Sequence, residues 1–279
     1  MRKYIIGCLA CWVVLCAACT ESDVLPLPDG SPLTLVAGIE SISSNETLTR
    51  ATAENEYDRS TFKVNDRIRI TRTRSGSASS TVDYIYNGTA WAPVISGSDL
   101  LFESGATYQA VYPLDYNGVR SDQKTVENYR LSNRLETPAT VKASNTGVLS
   151  FKNPDWFVHK NVKLTLKFEG KVTLPATSDF SVQGVGLYSG GSSDENVYPF
   201  RPDDTKHDWH VIIAPKAVAT DINVTVITSN GVSYKCKVSC GRVAGKNYIY
   251  TLTIQNDVLV PVGETIKPWV NESVFDGSL

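Results

Sequence analysis

Cysteine is nearly missing from the body of this 279-residue chain: four of its six lie at or before position 19, leaving only Cys236 and Cys240. That scarcity excludes a disulfide-stapled scaffold. In an extended segment the last two would sit ~13 Å apart, beyond the ~7 Å that a bridge can span. They are therefore expected as small apolar side chains on one face, a disulfide needing a turn between them. Surplus charge is also lacking. A net charge of −2, from 27 basic and 29 acidic residues with no Lys/Arg cluster, gives no ground for a nucleic-acid partner. No apolar run reaches the ~20 residues of a membrane-crossing helix, and no long window keeps a 3.6-residue period. The catalytic signatures Gly-x-Ser-x-Gly, His-Glu-x-x-His and Gly-x-x-x-x-Gly-Lys are absent, so neither an enzyme nor a cofactor is expected.

What is there begins at the N-terminus. Arg2 and Lys3 precede an apolar run, then Cys16-Ala17-Ala18-Cys19, then polar Thr20-Glu21-Ser22-Asp23. The run, roughly fourteen residues, reads as a removable signal. Small residues ending on a cysteine resemble a bacterial lipobox, which makes Cys19 the lipid-bearing first residue of the mature chain; Cys16 stands where leucine is usual. An ordinary secretory signal cleaved nearby is the plainer alternative. The expected division is a signal over 1–18 and a tether over 19–32, where Pro26, Pro28 and Pro32 favour extended chain.

Downstream the pattern has period two almost throughout. Strands are expected at Leu33 to Ile39, Arg67 to Thr71, Thr107 to Tyr112, Val148 to Phe151, Val162 to Phe168 and Val182 to Leu187, and again at His210 to Ala214, Ile222 to Thr228, Val232 to Val238 and Tyr248 to Ile254. Val82 to Trp91 reads as a hairpin with Asn87-Gly88 in a type I′ turn, and Asn230-Gly231 as a second hairpin turn. Many short strands and no long helix predict an all-β chain, and more than ten strands predict two β-sandwich domains. The polar stretch 115–147 reads as an excursion of the first domain. The junction is expected near residue 157, giving an N-terminal sandwich over 33–157 and a C-terminal one over 158–279.

Several clusters invite chemistry. Asp203-Asp204-Thr205-Lys206-His207-Asp208-Trp209-His210 carries carboxylates and imidazoles suited to a divalent cation, although Lys206 dilutes the negative charge and a solvated loop is the simpler reading. No metal is expected. Glu136, Asp155 and Asp179 are the carboxylates from which a glycosidase pair would be drawn. Trp91, Trp156 and Trp209 are either sugar-stacking platforms or, more simply, core. The loop Ser189 to Asp194 reads as flexible, and His159 completes the three histidines.

The stretch around Leu48-Thr49-Arg50-Ala51-Thr52 is polar and follows the first strand. An arginine in an exposed loop suits a trypsin-like protease. A cut between Arg50 and Ala51 detaches the first strand (33–50 as the removable strand and loop), and another chain's strand can fill the vacated edge. The plain alternative is an ordinary surface arginine. Together with Phe62-Lys63-Val64-Asn65-Asp66-Arg67-Ile68, Ala110-Val111-Tyr112-Pro113, Phe157-Val158-His159-Lys160, Ile213-Ala214-Pro215-Lys216, Ala244-Gly245-Lys246-Asn247-Tyr248 and Ile266-Lys267-Pro268-Trp269, these features resemble the fimbrillin family of the Bacteroidetes, the subunits of type V pili. Asn65 stands where that family commonly has glycine.

The resemblance implies two transthyretin-like Greek-key sandwiches and export as a lipoprotein, with palmitate on Cys19 and Glu21 and Asp23 as a surface-export signal. It further implies processing at Arg50 by an arginine-specific protease and strand exchange with other pilus subunits in support of adhesion. The precursor would sit on the outer membrane and the processed form in an extracellular fimbrium. A non-polymerising surface lipoprotein, an anchor or tip adhesin binding a host glycan or protein, is the alternative.

Overall fold

A computed structural model describes residues 27–39, 58, 61–169, 179–202, 207–228 and 230–269. Within them the chain is nearly all β and its sheets form sandwich-like domains, as expected. The first large sheet has six strands in the order β4-β3-β2-β5-β6-β8: β4 (Trp91–Pro93), β3 (Ser80–Tyr86), β2 (Arg67–Thr73), β5 (Thr107–Tyr112), β6 (Leu135–Glu136) and β8 (Val158–His159). A two-stranded parallel sheet of β1 (Thr34–Ala37) and β7 (Val148–Phe151) completes this half. One core cluster lies here; it draws on Ile39, Ile68, Ile70, Tyr84, Tyr108, Leu149, Phe151 and Phe157. β5 shows why the period-two pattern is informative: its residues alternate half-buried and buried, so one face meets this core.

The remaining strands form two four-stranded sheets. One has the order β11-β10-β13-β14: β11 (Asp194–Val197), β10 (Asp179–Val185), β13 (Thr220–Ile227) and β14 (Ser233–Cys240). The other has the order β12-β9-β15-β16: β12 (Asp208–Ile213), β9 (Val162–Phe168), β15 (Lys246–Gln255) and β16 (Val258–Pro268). Their facing side chains make a second core from Val162, Leu166, Val182, Val211, Val224 and Leu252, among others. Cys236 and Cys240 lie on the inward face of β14, both free, and burial pushes the Cys236 thiol up to about 11. Trp209 is buried and stacked on Phe180 at 3.8 Å, a core residue rather than a sugar platform.

Two hairpins differ from expectation. Asn87-Gly88 does not form a two-residue type I′ turn. Tyr86 pairs with Trp91 across a four-residue loop, in which the Asn87 side chain accepts from the Thr89 and Ala90 amides at 2.9 and 2.8 Å. The two-residue hairpin with both residues at positive φ is Asn256-Asp257, joining β15 to β16. β16 itself, eleven residues long, is absent from the expected strands: Pro261, Gly263 and Pro268 interrupt its pattern, and it is largely exposed.

Inside the polar stretch 115–147 sits one short helix, α1 (Val126–Ser132), started by Thr125, whose side chain accepts from the Asn128 amide at 3.1 Å. Seven residues are too few to register as a period.

The stretch Phe62 to Ile68 is a turn with a mechanism. Asn65 adopts φ 72, a left-handed conformation that glycine and asparagine tolerate best. Asp66, buried, accepts from the Lys63 amide at 2.7 Å and from the Tyr112 hydroxyl at 3.0 Å. Asp66→Ala loses both acceptors, and about 2 kcal/mol of stability is expected to go with them, read as a lower urea midpoint at unchanged slope.

Candidate functional site

The first strand and the segment leading into it lie in a groove, the leading segment bonded on both sides and the strand itself to β7 alone. On one side Gly30 N donates to Phe102 O at 2.8 Å and Phe102 N to Ser31 O at 2.7 Å. On the other, Leu27 N donates to Asn145 O at 3.0 Å, Thr34 N to Gly147 O at 2.8 Å and Gly38 N to Phe151 O at 3.0 Å. The proline-bearing segment is thus docked on the fold from Leu27 onward. Leu33, Leu35 and Ala37 pack against the first core and Ile39 is buried within it. Each fully buried Leu or Ile contributes about 1.5–3 kcal/mol. An empty groove therefore exposes both a row of backbone partners and an apolar floor.

A second constellation joins the two halves. Gln123, fully buried, clasps the backbone of β12: its Nε2 donates to Ile212 O at 2.7 Å while Oε1 accepts from Ile212 N at 2.8 Å. Val119, Tyr129, Phe200, Ile212 and Trp269 pack into a small core beside it. At its edge Asp58 forms an ion pair with Lys163, a lysine only 6% exposed. Asp58 also accepts from the Tyr129 hydroxyl at 3.3 Å, and His210 Nδ1 lies 3.8 Å from its carboxylate. His159 donates from Nδ1 to Asn133 Oδ1 at 2.8 Å and stacks on Trp269 with centroids 4.0 Å apart.

Burial dominates the titration of these groups. It lowers both imidazoles to about 3, with Lys163 adding to the depression and Asp58 opposing it. For Asp58, burial would raise the carboxyl, yet Lys163 and His210 together outweigh it and hold it below its ordinary value. The cluster is a joint of two neutral imidazoles and one charge pair. Among the described residues no group of three or more His, Cys, Asp or Glu is placed to hold a metal.

The residues singled out by sequence distribute as follows. Cys19, Glu21, Asp23, Arg50 and Ala51 lie outside the described residues, as do Asp203, Asp204, Thr205 and Lys206. Glu136 pairs with Arg134 and, at 3.8 Å, with Lys160. Asp179, with 69% of its side chain exposed, pairs with Lys124 at 3.4 Å. Both carboxylates are thus paired with nearby cations, Glu136 with two and Asp179 with one. Trp156 is half-buried beside the first strand, and Trp91 meets Phe62 edge to face at 5.0 Å. Sequence reasoning missed Asp58, Gln123, Tyr129 and Lys163. They share no local signal: Gln123 and Tyr129 stand among polar neighbours, Asp58 beside an arginine, and Lys163 in an alternating strand.

The fold is shared more widely than any one motif. No curated protein matches the chain. Among solved structures, a candidate cell adhesion protein of Bacteroides ovatus is similar with a TM-score of 0.62 at 17% identity, over 86% of this chain and 98% of that one. Another, from Bacteroides uniformis, gives 0.56 at 17% identity, over 75% and 93%. The model of the fimbrillin-like family matches residues 49–269, from beside Arg50 to the Trp269 that stacks on His159. Spanning both cores and the joint between them, that match establishes that the chain belongs to the fimbrillin-like family.

Proposed function

We propose that this protein is a structural, non-enzymatic subunit of a type V pilus, exported as a lipoprotein on Cys19, processed between Arg50 and Ala51 and assembled by strand exchange, in support of adhesion at the cell surface. The observation that carries the reading is the groove. Residues 33–39 behave as a separable element, hydrogen-bonded along one edge to β7 and its continuation, while the family match leaves them out and begins at residue 49. A cut after Arg50 frees that element without touching either sheet of the second core. The domains in this reading are 33–157 and 158–279, with β8 still paired to β6 of the first sheet.

A donor must come from a sheet edge. β16 ends its sheet, carries Val258, Val262 and Ile266 more than half exposed, and leads into the tail 270–279. Exposed apolar residues on an unprotected edge suit a strand that pairs with a neighbour. The partners on this reading are other pilus subunits, an arginine-specific protease, the outer membrane through lipid on Cys19 with Glu21 and Asp23 as export signal, and a host glycan or protein as the object of adhesion.

The test is to treat purified precursor with an arginine-specific protease and run it unboiled. Ladders of stable oligomers are expected, absent from Arg50→Ala protein, and the N-terminal residue of the polymer is Ala51. Cleaved protein that stays monomeric overturns the subunit role.

A further inference from the structure

The groove discriminates by more than apolar alternation. Leu33, Leu35, Ala37 and Ile39 face the core, so Gly38, alternating with them, faces the other way. There it meets Trp156. A methyl group built on Gly38 would enter the Trp156 ring, touching Cζ3 and reaching Cε3 at 3.0 Å. Gly38 does not hold a positive φ, so its backbone accepts alanine readily; what excludes a side chain is the ring alone. Phe157, the next residue along, is fully buried in the core and its amide donates to Gly38 O at 3.3 Å. Trp156 and Phe157 therefore take opposite faces of one strand end, the first covering it and the second supporting it.

The groove wall mirrors this. Gly147 holds φ 77, and a Cβ there would lie 2.8 Å from Leu27 Cδ2 and 3.3 Å from Pro32 O. Its carbonyl accepts from Thr34 N. The strand thus comes close to a glycine of the wall at its start and presents a glycine of its own to the wall at its end.

We propose that Trp156 is a register key. The groove accepts an extended segment that runs parallel to β7, carries apolar residues at three alternate positions, and places glycine directly after the third, beneath Trp156. The occupant is accordingly a glycine-bearing strand of the Leu-x-Leu-x-Ala-Gly-Ile kind, and a strand slipped by one residue is refused, because it puts a side chain against the indole and turns its apolar row outward. This specificity rests on the strand-exchange reading for its biological use, but the key itself is a property of the intact chain.

Two measurements test it. In the uncut full-length protein, Gly38→Ala lowers the unfolding midpoint although alanine ordinarily stabilises such a backbone, and in a Trp156→Ala background the same change is neutral or stabilising. Additive effects of the two substitutions overturn the key. In protein cleaved at Arg50, a labelled peptide of residues 31–40 is titrated beside its Gly38→Ala version. At least tenfold weaker binding of the alanine peptide is expected, with the difference abolished by Trp156→Ala. Equal binding of both peptides to the unsubstituted protein overturns the proposal. If neither peptide enters, strand exchange has failed, and the coupling in the uncut chain decides the key by itself.

Discussion

Between pH 6 and pH 4 the stability of this protein falls along a slope that approaches about 2.7 kcal/mol per pH unit, the value for two protons bound on unfolding. The two are those of His159 and His210. In the unfolded chain each imidazole takes up its proton near pH 6.5, whereas in the folded chain both stay neutral down to about pH 3. Across that window the unfolded state binds more protons, so acid favours it. The depression follows from burial, which Lys163 reinforces and the Asp58 carboxylate only partly offsets. Asp58 adds a further loss below roughly pH 4, where its unfolded carboxyl protonates while the folded one resists. Urea midpoints at pH 7, 6, 5 and 4 read the effect, and His159→Gln and His210→Gln each remove about half the slope. A midpoint that stays level from pH 6 to pH 4 contradicts the account.

Arg242→Met is expected to cost about 3–5 kcal/mol, since two buried carbonyls and one half-buried carbonyl lose a charged donor at about 1–3 kcal/mol each, offset in part by release of a desolvated charge. Arg242 is fully buried. Its Nε donates to Ala214 O at 3.0 Å, one terminal nitrogen to Val185 O at 2.6 Å, and the other to Ala214 O at 2.6 Å and to Gly186 O. One side chain thereby ties the end of β10 to the exit of β12, on opposite sheets of the second sandwich. The planar fork is what reaches three acceptors, so Arg242→Lys recovers only part of the loss. Equilibrium urea unfolding measures both, and a change below about 1 kcal/mol for Arg242→Met would mean that water replaces the guanidinium.

Strands with one wet face were legible because their alternation is a direct consequence of the pleat. β13, with Ile222, Val224 and Val226 inward and Asp221 and Asn223 outward, announces itself. β9 alternates in the same way, yet it is central and buried on both faces, so even Lys163 and Thr165 lie inside. The same fact hid the joint. In an alternating strand Lys163 reads as a solvent-facing residue, and nothing local says that the first half covers it. Its partner Asp58 stands 105 residues away along the chain. Contacts of that separation follow from the packing of whole elements, which periodicity does not encode. α1 and β16 escaped for opposite reasons, one too short to repeat and the other too exposed to alternate. The groove was foreseeable as an early strand, whereas the Trp156 ring over Gly38 required coordinates.

The ion pair of Asp58 also fixes a length. A cut after Arg50 leaves seven residues, Ala51 to Tyr57, ahead of the residue pinned by Lys163. At full extension such a leash reaches about 25 Å. The new chain end would therefore lie no farther than that from the seam between the two halves, where Asp58 is paired. Whatever departs with the first strand, this end cannot follow it. On the proposed processing, its positively charged amine would stay within that reach of the Asp58–Lys163 pair, a mark that the precursor lacks.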